Sequence, residues 1–223
     1  MSAGIFGKVV NEFGSPACDV RLYQIQYATI GVGGEPADAS AGFFVPLAGC
    51  KGPFPLVGYG HGTNLVKQQL ISNPATISRT WTPPDQDPYV VANVFAAHGY
   101  AVAATDYLGL GLSSYPYHPY LHAASEASAV IDSLRAARAA AKKLGIQLSP
   151  EVFLSGHSQG GQTTVATQRA IEASYGKEFR LRGVAPSSGP YALAQTFRDA
   201  LAHQSQDAPI LAAYTLTGYQ KIY

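Results

Sequence analysis

One ten-residue segment, 152–161, constrains the fold of this chain more than any other part of its sequence. It reads VFLSGHSQGG: an apolar run of the kind that forms a buried strand, then the pattern G-x-S-x-G at Gly156, Ser158 and Gly160, then a helical pattern from Gln159. A serine on a sharp turn between a strand and a helix needs glycine two residues before and two after it, because backbone segments crowd there. Residues 156–161, the elbow, therefore predict a nucleophilic Ser158 at the end of a buried strand.

Two backbone N–H groups are candidates to stabilise the oxyanion that forms when a serine attacks a carbonyl carbon. The first is the N–H of Gln159, at the N-terminus of the predicted helix. The second is expected in the loop after the third core strand, where residues 58–64 read GYGHGTN. Gly62 would let the backbone approach a substrate closely, which makes the N–H of Thr63 the predicted donor and that of Gly62 the alternative. A glycine-rich turn without a catalytic role is the other interpretation.

The whole sequence alternates short apolar runs with amphipathic helical patterns, which is typical of an α/β protein with a mostly parallel central sheet and flanking helices. Candidate strands are residues 21–29, 42–46, 55–59, 100–105, 152–155 and 181–185. Asp87 followed by Pro88 predicts the N-cap and first residue of a helix that Gly99 ends. Apolar residues at helical spacing predict a second helix over 125–145, and a third runs from Gln159 to about residue 175.

Composition and charge argue against several classes of function. The formal net charge is +1 without a cluster of lysine or arginine, so nucleic-acid binding is disfavoured. The chain contains no run of about 18 apolar residues, so no transmembrane helix is predicted. Cys18 and Cys50 lack the spacing of a metal site, and the sequence leaves open whether they are bonded. His118 and His122 lie four residues apart, but nearby prolines argue against a helix there, so no metal or other cofactor is predicted.

Three segments together resemble a known family: the elbow with its sequence GHSQGG, the tripeptide His61-Gly62-Thr63, and the sequence DYLGLG at 106–111. They resemble the secretory lipase family, the lipase-A-type α/β-hydrolases of fungi and their bacterial relatives, and the similarity extends over residues 43–191. Cutinases and some peptidases share the elbow. The resemblance implies hydrolysis of carboxylic esters and acylglycerols by a Ser-Asp-His triad, a helical cap inserted after the sixth core strand, no cofactor, and export.

The order of triad residues in this fold determines what is expected of the C-terminal part. The nucleophile, the acid and the histidine follow each other along the chain, the last two on loops after later strands. After Ser158 only one further strand is predicted, and helical patterns then begin at Pro190 and Asp207. We therefore expect residues 1–189 to form the N-terminal part of an α/β-hydrolase core, and residues 190–223 the beginning of the cap.

His203 is the only histidine after Ser158, and Asp199 lies one helical turn before it. Both belong to the predicted cap rather than to the rim of the sheet, so the triad acid and histidine are expected outside this chain. A serine hydroxyl without its base is a weak nucleophile, and the strand at 181–185 would have an unpaired edge. The chain taken alone is therefore expected to be nearly inactive, and poorly soluble or oligomeric.

The leading hypothesis is a serine carboxylic ester hydrolase of the lipase or esterase type that forms an acyl-enzyme on Ser158, with a small-molecule or lipid ester as substrate. The alternatives are a serine peptidase or polyester hydrolase with the same elbow, and a non-catalytic binding protein or inert fragment. Residues 1–8 lack the features of a signal peptide, so the protein is either cytoplasmic or has lost its leader. The family resemblance favours export, and the oligomeric state stays open.

Overall fold

A six-stranded sheet forms the centre of the molecule, and all six predicted strands are present. The computed structural model describes residues 14–76, 87–203, 206 and 208–223. The strands are β1 Val20–Ile30, β2 Pro36–Pro46, β3 Phe54–Gly60, β4 Ala101–Thr105, β5 Leu148–His157 and β6 Arg180–Ser187. The predictions for residues 1–8 and for a helix start at Asp207 lie outside the described residues.

The strand order is β1-β2-β4-β3-β5-β6. The pairs β1–β2 and β2–β4 are antiparallel, whereas β4, β3, β5 and β6 run parallel. β3 and β4 are apolar and buried along nearly their whole length, as strands covered on both faces must be. Parallel strands end at the same edge of a sheet, so the loop after β3 and the elbow after β5 lie side by side; Gly60 is in register with Gly156.

Helices flank the sheet and connect its strands. They are α1 Asp87–Val90, α2 Ala123–Leu144, α3 Gln159–Ala170, α4 Leu193–Ala202 and α5 Ala208–Ile222. α1 continues through π- and 3-10-helical segments to Gly99, and α3 continues through a π-helical segment to Tyr175. Gly99 and Gly145 end their helices in the left-handed conformation, with φ of 88° and 71°, as predicted. The helix expected from Pro190 begins three residues later, because residues 191–192 form a turn before it.

The hydrophobic core lies on both faces of the sheet. On one face, Val130, Ile131 and Leu134 of α2 pack against buried side chains of β2, β3 and β5. On the other face, Val91 after α1 packs with residues of the same central strands, including Val102 of β4. The sheet is therefore the middle of three layers, and this packing fixes the edge of the sheet at which the elbow lies.

Cys18 and Cys50 form a disulfide, which answers the question that the sequence left open. The bond joins the segment before β1 to the loop that follows β2, at the end of the β1–β2 hairpin. As for membrane spans, none of the helices in the described part of the chain combines the length and the apolar character that crossing a bilayer requires.

Candidate active site

Ser158 lies on the turn between β5 and α3, where the sequence predicts it. Its backbone has φ 56° and ψ −119°, a conformation that residues other than glycine rarely adopt. The Ser158 N–H donates to the carbonyl oxygen of Ser187 at 2.9 Å, which ties the turn to the end of β6. Strained backbone conformations of this kind cluster at functional sites. The serine is half-buried and lines a cavity, so its side chain is accessible to a small molecule.

The glycines of the elbow lie where no side chain fits. A Cβ atom on Gly160 would be 1.8 Å from the carbonyl oxygen of Gly60, and one on Gly156 would be 2.4 Å from the carbonyl oxygen of Gly160. A Cβ on Gly161 would in turn lie 2.4 Å from the carbonyl oxygen of Ser187. The start of α3 therefore rests directly on the backbone of β3 and β6, which is the crowding that the motif predicts.

The loop after β3 faces the elbow. A Cβ on Gly62 would be 4.0 Å from the Cβ of Ser158, so this loop passes next to the candidate nucleophile. The Gly62 N–H donates to Oδ2 of Asp87 at 2.7 Å and is therefore already engaged. The Thr63 N–H remains the predicted donor. On the opposite side, Gln159 is the first residue of α3, and its N–H has no acceptor within the helix.

The Asp87 side chain is bonded to the loop after β3. Its buried carboxylate accepts hydrogen bonds from the hydroxyl of Tyr59 at 2.8 Å and from the Gly62 N–H. Burial raises the pKa of the Asp87 carboxyl, while the Gly62 N–H and His61 act in the opposite direction. α1 begins at Asp87 itself, one residue earlier than the sequence predicts.

A buried polar network lies directly beneath the elbow. The Gln159 side chain donates from Nε2 to Oε1 of Glu126 and to Nε2 of His118, both at 2.7 Å. Glu126 also accepts from the Leu121 N–H at 3.0 Å and from the Thr163 hydroxyl at 2.7 Å. Burial raises the pKa of Glu126 to about 7 and lowers the pKa of His118 to about 4. His118 is thus neutral at neutral pH, and Glu126 is protonated below about pH 7.

An apolar cavity of about 210 Å³ opens beside Ser158. Side chains of α4, α5 and the segment before α2 form much of its wall, and Ser158 and the segment after β6 complete it; the apolar lining includes Leu193, Phe197, Ala200, Leu211, Tyr120 and Leu121. The Tyr120 hydroxyl is 2.7 Å from Oγ1 of Thr63, so the cavity wall is directly bonded to the loop after β3. A cavity with this lining fits an acyl chain or another apolar group better than a charged one.

None of the histidines in the described residues is paired with the Ser158 hydroxyl. Ring hydrogen bonds with other partners are made by His61, His118, His122 and His203. His203 is exposed, and its Nδ1 donates to the main-chain oxygen of Asp199 rather than to the carboxylate. The Asp199 carboxylate instead accepts from Gln195. The Asp199 carboxylate therefore does not orient the His203 ring in this structure.

The two histidines considered as metal ligands form hydrogen bonds with other groups of the protein. His118 and His122 make separate hydrogen bonds, and no group of three His, Cys, Asp or Glu side chains in the described part of the chain is arranged to hold a metal. Sequence reasoning missed Glu126, which lies one helical turn before Val130 on the buried side of α2. A carboxylate at an apolar position of a helix was the available signal, since buried charges require partners.

Comparison with known proteins bears on this geometry. A sequence model of the secretory lipase family matches residues 82–219. The chain belongs to this family. The cell wall degrading esterase LipA of Xanthomonas oryzae has 47% sequence identity and a TM-score of 0.76, over 86% of this chain and 48% of that one. A Legionella pneumophila protein has 26% identity and a TM-score of 0.81, over 96% and 56%.

The fold is the α/β-hydrolase fold, as the resemblance implied. Candida antarctica lipase A shares it at 20% identity, with a TM-score of 0.53 over 85% of this chain and 46% of that chain. The chain thus spans about half the length of the solved structures that it matches. A search of curated proteins found no match.

Proposed function

We propose that the protein is a serine carboxylic ester hydrolase of the lipase or esterase type, with Ser158 as its nucleophile. The observation that carries this proposal is the placement of Ser158, on a strained turn that faces both the loop after β3 and the apolar cavity. Membership of the secretory lipase family supports the same reaction class. The cavity would receive the acyl group of the ester.

The reaction follows from the position of each group. Ser158 Oγ attacks the ester carbonyl carbon as its proton passes to a histidine base. The oxyanion of the tetrahedral intermediate accepts hydrogen bonds from the N–H groups of Gln159 and Thr63. The intermediate collapses, the alcohol leaves with the proton from the histidine, and the acyl group stays on Ser158. Water, activated by the same base, then releases the carboxylic acid.

We propose that the triad acid and histidine come from outside residues 1–223. In this fold both follow the nucleophile in the chain, on loops after later strands. No histidine in the described residues hydrogen-bonds to Ser158, and the related structures are about twice as long as this chain. Within the chain, residues 1–189 form the core part, and 190–223 begin a cap that covers the cavity. Export fits the family's description and the Cys18–Cys50 disulfide.

Hydrolysis assays on the full-length protein test the proposal. The substrates are p-nitrophenyl butyrate, p-nitrophenyl decanoate and a peptide p-nitroanilide. Ser158→Ala should lower ester turnover by about 10⁴- to 10⁶-fold, because the nucleophile is lost while substrate binding remains. The matched control is Ser155→Ala, three residues earlier on β5, whose hydroxyl donates only to the Ala185 carbonyl oxygen. This control should keep turnover close to wild type.

Other outcomes would redirect the assignment. Faster cleavage of the anilide than of either ester would indicate a peptidase. Equal loss of ester turnover in Ser155→Ala and Ser158→Ala would point to a general structural effect. A folded wild-type protein without any turnover would favour a binding protein of the same fold.

A further inference from the structure

Glu126 is a buried carboxylate without a cationic partner. It is 1% exposed, and no ion pair in the described part of the chain includes it. Its three hydrogen-bond donors are neutral: the Leu121 N–H, the Gln159 amide and the Thr163 hydroxyl. Burying a carboxyl group on the apolar side of a helix costs free energy, and the three contacts offset that cost.

The contact with Gln159 involves the residue that directly follows Ser158. The Nδ1–H of His118 donates to the Leu108 carbonyl oxygen, which leaves its Nε2 as an acceptor for Gln159. Both protons of the Gln159 amide are therefore used, one by His118 and one by Glu126. Gln159 is 1% exposed and its amide nitrogen is bonded to both partners, so these contacts restrict its side chain and, with it, the start of α3.

A second contact reaches the other candidate donor. Glu126 accepts from the N–H of Leu121, a residue with φ 59°. The preceding residue, Tyr120, bonds through its hydroxyl to Oγ1 of Thr63. One carboxylate thus connects two chain segments: α3 with the Gln159 N–H, and the 118–121 segment with Thr63.

We propose that Glu126 is a positioning residue for the ester hydrolysis assigned to Ser158, and that it fixes the separation of the Gln159 and Thr63 N–H groups. This inference rests on the proposed function. Glu126 touches neither substrate nor reacting atoms, so it acts only through the geometry of the two donors. Their hydrogen bonds strengthen as charge develops on the oxyanion, so their displacement should lower kcat far more than it raises KM.

The test compares Glu126→Leu and Glu126→Gln in the full-length protein, with kcat normalised to active sites titrated by a fluorophosphonate. Glutamine can keep all three contacts, because its oxygen accepts from Leu121 and Gln159 and its amide donates to the Thr163 hydroxyl. The control is Ser133→Ala, a buried substitution on the same helix whose hydroxyl donates only within α2.

We expect Glu126→Leu to lower kcat by about 10- to 100-fold, the usual cost of disturbing supporting contacts at a reactive site, with little change in KM. Glu126→Gln should recover most of the lost kcat, and Ser133→Ala should match wild type. If Glu126→Leu does not fold, Thr163→Val against Thr163→Ser gives the same comparison. The valine removes one donor to Glu126 and should lower kcat, whereas the serine keeps that donor.

Two results would overturn the positioning role. One is that Glu126→Leu or Thr163→Val lowers the melting temperature but keeps kcat within about twofold of wild type. The substitution would then have an ordinary structural effect on stability alone. The other is a kcat in Glu126→Gln as low as in Glu126→Leu. If wild-type Ser158 hydrolyses no ester and is not labelled by the fluorophosphonate, the proposed function fails first and the positioning role fails with it.

Discussion

The two sides of the candidate site are held in place very differently. The elbow side rests on helices that are packed into the core: α2 buries ten of its residues and α3 buries six. The opposite side consists of α4, which buries none of its residues, and α5, which buries three. Of eleven large apolar side chains that are exposed in the described residues, five lie after residue 190: Tyr191, Leu201, Ile210, Leu216 and Tyr223.

The proposed oxyanion donors and the wall of the cavity therefore lie on differently packed parts of the molecule. The groups that would meet the developing charge are main-chain N–H groups fixed by buried contacts, as electrostatic preorganisation requires. The wall of the cavity belongs to helices joined to that base by few bonds. α5 is joined mainly through Tyr214, which stacks on Tyr120 at 4.6 Å, and Tyr219, whose hydroxyl donates to the Leu121 carbonyl oxygen.

Glycine-to-alanine substitution should give the largest difference in the free energy of unfolding between the two sides. In Gly160→Ala the new Cβ would be 1.8 Å from the Gly60 carbonyl oxygen, so α3 would have to leave β3. We expect a loss of more than about 4 kcal/mol in the free energy of unfolding, or no folded protein. In Gly218→Ala, on α5, the nearest atom is 3.4 Å away, and alanine favours the helix by about 1 kcal/mol.

Urea unfolding of the two alanine variants is the measurement. Equal destabilisation by Gly160→Ala and Gly218→Ala would mean that the elbow is no more tightly packed than α5.

Leucine truncation sharpens the comparison at a smaller scale. Leu134 of α2 is completely buried, so Leu134→Ala should lower the free energy of unfolding by about 2–5 kcal/mol. Leu201 of α4 is 60% exposed, and Leu201→Ala should change it by less than about 0.5 kcal/mol. Denaturant midpoints measure both values. A loss at Leu201 comparable to that at Leu134 would contradict the exposed position of α4.

The pH dependence of stability tests the network on the elbow side. Between about pH 4.5 and 6.5, the folded protein holds Glu126 protonated and His118 neutral, since their pKa values are about 7 and about 4. The unfolded chain holds the carboxylate ionised and the imidazole charged. Each state therefore binds one proton on this pair, and the pair contributes no slope in that range. Glu126 alone would lose stability as the pH rises to 7, and His118 alone would lose it as the pH falls to 4.

Glu126→Gln should expose the contribution of His118. Its free energy of unfolding should fall as the pH decreases from 6.5 to 4.5, by up to about 1.4 kcal/mol per pH unit relative to wild type. His61 and Tyr107 also lie near the pair, but both are unchanged in the variant, so the difference from wild type isolates Glu126. Ser133→Ala should keep the wild-type slope. Identical slopes in wild type and Glu126→Gln would contradict the assigned protonation states.

Local features of the fold are predicted from the sequence better than contacts between distant segments. All six strands, the helix ends at Gly99 and Gly145, and the turn at Ser158 follow from local patterns, because apolar periodicity and glycine positions act over a few residues. The family resemblance is confirmed by the match over residues 82–219. These features depend on the residues themselves and their immediate neighbours.

Contacts between distant segments could not be predicted in the same way. Asp87 gives the local signal of a helix N-cap, yet its carboxylate bonds to Tyr59 and Gly62, which sheet packing brings close. Glu126 interrupts an apolar helix face, but its partners lie 5, 33 and 37 residues away. The roles of Ser158, Gln159 and Thr63 stay predictions, because their placement gives geometry and not reactivity.

Covalent labelling tests the central claim, that Ser158 is the nucleophile, most directly. The full-length protein is treated with a fluorophosphonate, which reacts with serines activated by a base, and the modified peptide is identified by mass spectrometry. We expect one phosphonylated residue, Ser158, and no label in Ser158→Ala. A label on Ser188, which lines the same cavity, or on any other serine while Ser158 stays unmodified would contradict the account.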